Sequence, residues 1–302
     1  MFDGKAQIEI FEQNRKRLFG IAYRMLGTHS DAEDVVQEAY IRWHKAEAEE
    51  IETPEAWLVT IVSRLSIDRL RKLKSERETY IGPWLPEPLL ISNAPTPEDR
   101  LELASNVSIA FMTLLERLSP VERAAFLLHD IFDCAYSDIA RIVGKTETAS
   151  RQLIHRARER VRTGKPRFEA DEKERDKLIK KFSIASQTGD EKTLLALFSD
   201  EIAMTSDGGG KVKAARKIVR GKNKLAHALA MFAVKYPAGF QHEIYPINGE
   251  IGMLTFYEGK IFGATTFEFS ADGKISGIYR VMNPDKLKRI MNFKLPITNV
   301  RI

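Results

Sequence analysis

The chain has 302 residues, with 47 basic against 42 acidic side chains and a net charge of +5, which is length for two or three domains and a charge that fits nucleic acid only if it is clustered. One cysteine, Cys134, excludes an internal disulfide, six scattered histidines make no zinc pattern, and no stretch approaches the ~20 apolar residues of a membrane helix. The start, MFDGKAQIEIF, lacks the basic residues and apolar run of a signal peptide, so a reducing, cytoplasmic setting without a membrane is expected.

Residues 8 to 26 place Phe11, Leu18, Phe19, Ala22, Tyr23 and Met25 or Leu26 at helical spacing, and Gly27 stops the run. Ser30 and Glu33 then read as a capping box for a helix that buries Val35, Ala39 and Trp43 and shows Asp31, Asp34 and Glu38. The helix dipole explains Asp31 and Glu33, but not Glu38, and no histidine accompanies the carboxylates; a protein-binding face ranks ahead of acid–base or metal chemistry. Thr53 and Pro54 open a third helix with an apolar face of Leu58, Ile61, Val62 and Leu65. Near it Arg64, Arg69, Arg71, Lys72, Lys74 and Arg77 cluster with Trp57 upstream, a mixture suited to phosphates and unstacked bases. A solvated helix end with a buried tryptophan is the competing reading.

Pro83, Pro86, Pro88, Pro95 and Pro97 make the next segment a stiff connector, and Tyr80, Trp84 and Leu85 predict that part of it docks. Thr96 and Pro97 begin a helix that turns Leu101, Ala104, Phe111, Leu115 and Leu118 inward. Ser119, Pro120 and Glu122 then start a well-capped helix, a second fits Ser137 to Val143, and Gly144 ends it before Lys145 and Thr146 open another. This is helix-turn-helix spacing. In the last helix Ala149, Leu153, Ala157 and Val161 form a packing face, and Arg151, His155, Arg158 and Arg162 a basic one. Arg151 and Gln152 are placed to read bases, with Arg158 and Arg162 nearer the backbone; a merely solvated basic helix is the alternative.

A boundary is expected near Pro166. Residues 176 to 198 read as two helices broken at Thr188 and Gly189, and residues 221 to 236 as another ending at Pro237. The alternating runs FQHEIYPI, IGMLTFYE, KIFGATTFEFS and KISGIYRVMN, with turns at Asn248-Gly249, Gly259-Lys260 and Asp272-Gly273, predict a curved antiparallel sheet with helices on one side, an α+β domain. DGGGK at 207 to 211 lacks the Lys-Ser/Thr helix of a P-loop and reads as a loop between strands, while Asn283 and Pro284 read as a helix cap.

The acidic DAEDVVQEAY, then PEAWLVTIVSRLSIDRLRK, then the helix-turn-helix together resemble an extracytoplasmic-function (ECF) sigma factor of bacterial RNA polymerase. The resemblance implies a region-2 domain at residues 1–78, a proline-rich linker at 79–96, a region-4 helix-turn-helix domain at 97–164 and a C-terminal domain at 165–302. Its implied partners are core RNA polymerase, at its clamp and flap, and promoter DNA. Asp31, Glu33, Asp34, Gln37 and Glu38 would dock on the polymerase clamp. Trp57, Arg64, Asp68, Arg69, Arg71 and Lys72 would open and read the minus-ten element. Thr146, Glu147, Thr148, Arg151, Gln152, His155, Arg158 and Arg162 would read the minus-thirty-five element.

The last 138 or so residues, with helices first and a meander last, resemble the SnoaL-like branch of the NTF2-like cone fold. The strings WLPEP at 84 to 88, DGGGK and NPDKL at 283 to 287 resemble those of the SigJ-like subgroup of ECF factors. That likeness implies modulation of promoter activity in cis, with Trp84, Leu85, Pro86, Glu87, Pro88, Asp207, Gly208, Gly209, Gly210, Lys211, Asn283, Pro284, Asp285, Lys286 and Leu287 near the contact region. No cofactor, metal or catalytic residue is implied, and a monomer is expected in the free state. Two other functions compete: a stand-alone helix-turn-helix regulator with a ligand-sensing domain, and a SnoaL-like enzyme with Asp207, His242 and Tyr279 in its pocket.

Overall fold

The computed structural model describes residues 4–46, 51–90, 108–162, 172–235 and 240–291. It divides into two compact units, residues 1–79 with 112–165 and residues 80–111 with 166–302. The helix start expected at Thr96 and Pro97, with Leu101 and Ala104, and the boundary expected at Pro166 lie outside the described residues.

The first unit opens with three helices, α1 (Gly4–Leu26), α2 (His29–Lys45) and α3 (Pro54–Glu78). Gly27, at φ 79°, adopts the left-handed conformation that ends α1, and its N–H reaches Tyr23 O at 2.8 Å. The helices close over Leu18, Ile21, Met25, Val36, Trp43, Leu58 and Val62, all essentially inaccessible. Each such large side chain stabilises the fold by roughly 1.5–3 kcal/mol. Trp43 keeps its indole N–H satisfied by donating to Gln7 O at 2.9 Å. The capping box read at Ser30 is not formed: Thr28 is the N-cap, Ser30 lies inside the helix, and the Thr28 hydroxyl turns to Asp31 instead of a backbone amide.

Four more helices follow: α4 (Ile109–Leu115), α5 (Pro120–Asp130), α6 (Tyr136–Val143) and α7 (Glu147–Arg162). The Ser119–Glu122 capping box is complete, with Ser119 N donating to Glu122 Oε2 at 2.9 Å and Glu122 N to Ser119 Oγ at 3.3 Å. Gly144 ends α6 at φ 67° and ψ 43°, and Thr146 Oγ1 accepts from Ala149 N at 3.2 Å at the start of α7. Helix α7 buries Ser150, Leu153, Ile154, Ala157 and Val161; Ala149, expected on that face, is half-exposed. Cys134 is half-buried.

A charged network ties α1 and α3 to α5. Glu116 accepts from Arg77 at 2.6 Å and from the fully buried Arg123 at 2.5 Å. Arg123 also donates to Arg24 O at 3.0 Å, Arg77 to Leu26 O at 2.7 Å and Lys74 to Leu118 O at 2.6 Å. Burial alone would raise the Glu116 carboxyl, but Arg123 and Arg77 outweigh it and hold Glu116 below the usual carboxylate range.

The second unit comprises α8 (Glu172–Thr188), α9 (Glu191–Leu197), β1 (Phe198–Asp207), β2 (Val219–Arg220), α10 (Lys222–Lys235), β3 (Phe240–Ile247), β4 (Glu250–Tyr257), β5 (Lys260–Phe269), β6 (Ile275–Val281) and α11 (Pro284–Met291). The six strands run in the order β2-β1-β6-β5-β4-β3. The sheet is mixed, not antiparallel throughout: β1 pairs parallel with β6, Met204 opposite Ile278 and Asp207 opposite Val281. The β4–β5 turn sits one residue earlier than expected, on Glu258 at φ 49° and Gly259 at φ 74°. Two successive positive φ values are what a two-residue hairpin with the native twist requires.

Strand alternation sorts two cores. Phe182, Leu194, Leu225, Met253, Phe267 and Ile278 pack on one face of the sheet, whereas Leu85, Tyr245, Ile247, Leu254, Val281 and Leu287 pack on the other. Helices therefore cover both faces, α11 and the segment at Leu85 taking the second, in place of the one-sided cover expected.

Candidate functional sites

On α2 the structure separates the acidic residues. Asp34 and Gln37 are exposed, Glu38 is half-exposed and paired with Arg42 at 2.9 Å, and Glu33 is half-exposed beside Arg15 at 3.2 Å. Asp31 does not belong to that outer face. It is buried and accepts from Arg69 Nε at 2.7 Å, so it joins α2 to α3. Ile41, which sequence reading did not single out, is an exposed apolar residue one turn along from Gln37 and Glu38 and two from Asp34, so the i, i+3, i+4, i+7 spacing puts it on the same face.

On α3 the cations also divide. Lys72 is exposed, Arg71 is exposed and bonded to Asp68 at 2.7 Å, and Trp57 packs its ring 5.6 Å from that of Trp43. Arg64 does not stand free for phosphate: its guanidinium donates to Arg141 O at 2.8 Å, at the C-terminal end of α6, where carbonyls and dipole favour a cation. Arg69 is likewise held by Asp31 and Glu76.

The exposed face of α7 carries Glu147, Thr148, Arg151, Gln152, His155 and Arg162, near or following the helix start, with Thr146 as its exposed cap. The Arg151 guanidinium lies 4.0 Å above the Tyr136 ring, a contact that orients it without consuming its donors. Arg158, expected near the DNA backbone, is instead clamped by Asp130, with Nε to Oδ2 at 2.9 Å.

In the second unit, side chains far apart in sequence converge on Asp207, which is fully buried. Its carboxylate accepts from Tyr80 Oη at 2.5 Å, Leu85 N at 2.9 Å, Gly209 N at 3.0 Å and Lys286 Nζ at 2.7 Å. Burial and the Asp207 carboxylate push the Tyr80 hydroxyl well above its ordinary pKa, so it stays a donor. Lys286 also donates to Leu85 O and lies 4.1 Å from the centre of the Trp84 ring. Asn283 is both cap and contact, accepting from Asp285 N at 3.1 Å and donating to Tyr80 Oη at 2.8 Å. Lys211 pairs with Asp285.

The 207 to 211 turn is no loose loop. A Cβ on Gly209, at φ 58°, would lie 2.3 Å from Asn283 Nδ2, and one on Gly210, at φ 72°, 2.8 Å from Ile81 Cδ1. Glycine is what lets the backbone approach both. Pro86, Glu87 and Pro88 are buried, Leu89 N donates to Asn248 Oδ1 at 2.9 Å, and Asn248 N donates back to Leu89 O at 2.8 Å. Residues 80–90 are thus stitched into the second unit from Tyr80 to the β3–β4 turn; Pro284 and Leu287 complete the set at the start of α11.

The residues proposed for a pocket enzyme are not assembled. Of Asp207, His242 and Tyr279, only His242 lines the cavity between the sheet and α8 and α10; Asp207 is engaged as above, and Tyr279 donates to Glu268 at 2.7 Å.

Comparison with known proteins accounts for this arrangement. Residues 10–76 match Sigma-70 region 2 and residues 108–161 match Sigma-70 region 4. The chain is 35% identical over 291 residues to the ECF RNA polymerase sigma factor SigJ of Mycobacterium tuberculosis, covering 93% of each protein. The chain belongs to the ECF sigma-factor family. SigI of M. tuberculosis, described as a probable ECF RNA polymerase sigma factor, is 30% identical over 276 residues, 91% of this chain and 92% of that protein. The crystal structure of M. tuberculosis SigJ superposes with a TM-score of 0.72 at 33% identity, covering 93% of this chain and 98% of that one. Both relatives match through the C-terminal α+β unit as well as the helical regions. This ECF factor is a promoter-directing subunit that works with core RNA polymerase; a stand-alone regulator and an enzyme are not favoured, its relatives being sigma factors. No described helix is long and apolar enough to cross a membrane.

Proposed function

We propose that the C-terminal unit of this sigma factor controls initiation in cis through the Asp207 cluster and that it does so without catalysis, in the cytoplasm. The observation that carries the reading is the capture of residues 80–90, the segment that leaves α3, by Asp207, Asn283 and Lys286. That segment connects the minus-ten module to the minus-thirty-five module, so its conformation sets the reach between them. The proposed division is region 2 at 1–78, connector at 79–96, region 4 at 97–164 and regulatory domain at 165–302. Asp34, Gln37, Glu38 and Glu33, joined by Ile41, are the proposed clamp face. Trp57, Asp68, Arg71 and Lys72 are proposed for the minus-ten element. Thr146, Glu147, Thr148, Arg151, Gln152, His155 and Arg162 are proposed for the minus-thirty-five element. Arg64 and Arg69 are proposed for the minus-ten element and Arg158 for the minus-thirty-five element through the N–H donors that their present partners leave over.

The test is run-off transcription from a cognate promoter with purified core polymerase, comparing the full chain with its Asp207→Asn, Lys286→Met double variant. Control in cis predicts promoter output changed several-fold at unchanged affinity for core polymerase. Equal output from both proteins at saturating polymerase would dismiss the Asp207 cluster as a control point.

A further inference from the structure

The cavity of the C-terminal unit contains a charge that has no counter-charge among the described residues. It measures about 210 Å³, far above the ~15 Å³ that one buried water needs. Its walls include Phe182, Leu229, Phe232, Phe240, Met204 and Met253, and no acidic side chain lines it. Arg280 enters from β6. Among the described residues it makes no ion pair, its Nε has no hydrogen-bond partner, and its guanidinium rests 5.8 Å from the Phe232 ring centre and 6.0 Å from that of Phe262. Two aromatic faces compensate only part of the cost of taking a guanidinium out of water; desolvation pulls Arg280 down to about 10, which still leaves it charged.

The polar atoms near it are neutral donors or acceptors. Burial first, and then the Arg280 charge, lower His242 to about 4, so the ring is uncharged at neutral pH. Its Nδ1 lies 3.2 Å from Ser183 Oγ. When that hydroxyl donates to Nδ1, the Nε2–H remains as a donor. Ser186, Gln187 and Thr265 complete the polar lining. One fixed positive charge, neutral donors and an aromatic and methionine wall describe a site for one negative charge on an apolar body.

We propose that this cavity binds a small amphipathic monocarboxylate, its carboxylate paired with Arg280 and its hydrocarbon part against Phe182, Phe240 and Met253. A carboxylate matches the planar fork of the guanidinium with two parallel hydrogen bonds, and its single charge balances the single charge of Arg280. This site is separate from the Asp207 cluster, and its occupation can be tested without reference to transcription.

The experiment uses the full chain carrying ¹³C-methyl methionine, with Met204 and Met253 as reporters in the cavity wall, assigned by Met→Leu variants. Octanoate and phenylacetate are titrated beside their uncharged counterparts 1-octanol and 2-phenylethanol. The expected result is saturable shifts of the Met204 and Met253 methyls, with each acid bound at least about tenfold more tightly than its alcohol. Arg280→Gln should abolish that preference and Arg280→Lys should retain part of it. Equal affinity for acid and alcohol, a preference unchanged in Arg280→Gln, or no saturable shift up to ~10 mM acid would each overturn the proposal. Should Arg280→Gln fail to fold by circular dichroism, the acid-to-alcohol ratio in the unaltered protein and in Arg280→Lys decides the matter.

Discussion

Replacing Asp207 by alanine removes one acceptor from four donors at once, the Tyr80 hydroxyl, the Leu85 and Gly209 amides and the Lys286 ammonium. The Asp207 and Lys286 side chains are 0% and 7% exposed, so water cannot take over as partner. Leaving a buried ammonium without its carboxylate costs about 3–5 kcal/mol. Each stranded amide would add up to about 1–3 kcal/mol, and less wherever the local backbone relaxes. An overall loss of about 4 kcal/mol is a large part of the roughly 5–15 kcal/mol that stabilises a domain. The expected readout is a lower urea midpoint for the second unit and faster hydrogen exchange at Leu85, Leu89 and Gly209. Lys286→Met in the Asp207→Ala background should recover part of the loss, because the uncompensated charge is then gone. A loss below about 1 kcal/mol for Asp207→Ala, or strictly additive effects of the two substitutions, would refute the buried-pair reasoning.

Glu116→Ala should destabilise the helical unit by about 3–5 kcal/mol, since it leaves the fully buried Arg123 unpaired; urea unfolding measures it. Because Glu116 is held below the usual range, its contribution is complete above the unfolded-state carboxyl pKa of about 4.5 and disappears as pH falls through the lower folded value. The urea midpoint should therefore drop on acidification in this window, and less so in Glu116→Gln. Asp34→Lys with Glu38→Lys should weaken binding to core polymerase at least about tenfold in a fluorescence titration, with the helical circular dichroism unchanged; undiminished affinity would remove α2 from the interface. Arg151→Ala should relax base preference at the upstream promoter element by about 1–3 kcal/mol in competition binding by the holoenzyme, whereas a uniform loss across sequences would make it a phosphate contact.

Much of the helical unit was legible because its signals are local. The Ser119–Glu122 box and the left-handed Gly27 and Gly144 each depend on a few consecutive residues, and each is present; the break at Gly189 in the second unit is equally local. The Ser30 reading failed for a local reason too: Thr28, two residues earlier, took the cap and gave its hydroxyl to Asp31. Hairpin strands β3 to β6 were visible as alternation between turn residues, since neighbours in the chain are neighbours in the sheet. The pairing of β1 with β6 spans the whole domain, so no local pattern announces it.

The sequence by itself determined the order of modules, the helix-turn-helix, the amphipathic faces and the α+β character of the C-terminal unit, because capping, turn chemistry and hydrophobic period act over one or two turns of chain. Only the tertiary structure decided which charges are free. Asp31 with Arg69, Arg64 with the end of α6, and Arg158 with Asp130 all look like exposed charges when read along a helix, yet each finds its partner on another element. Asp207 meets Tyr80 across 127 positions of chain and Lys286 across 79, and among the described residues the fold brings Arg280 no acidic side chain. Whether a charge is a ligand, a strut or a surface group depends on what the fold places within ~4 Å of it, and that distance is set by packing between elements rather than by spacing within one.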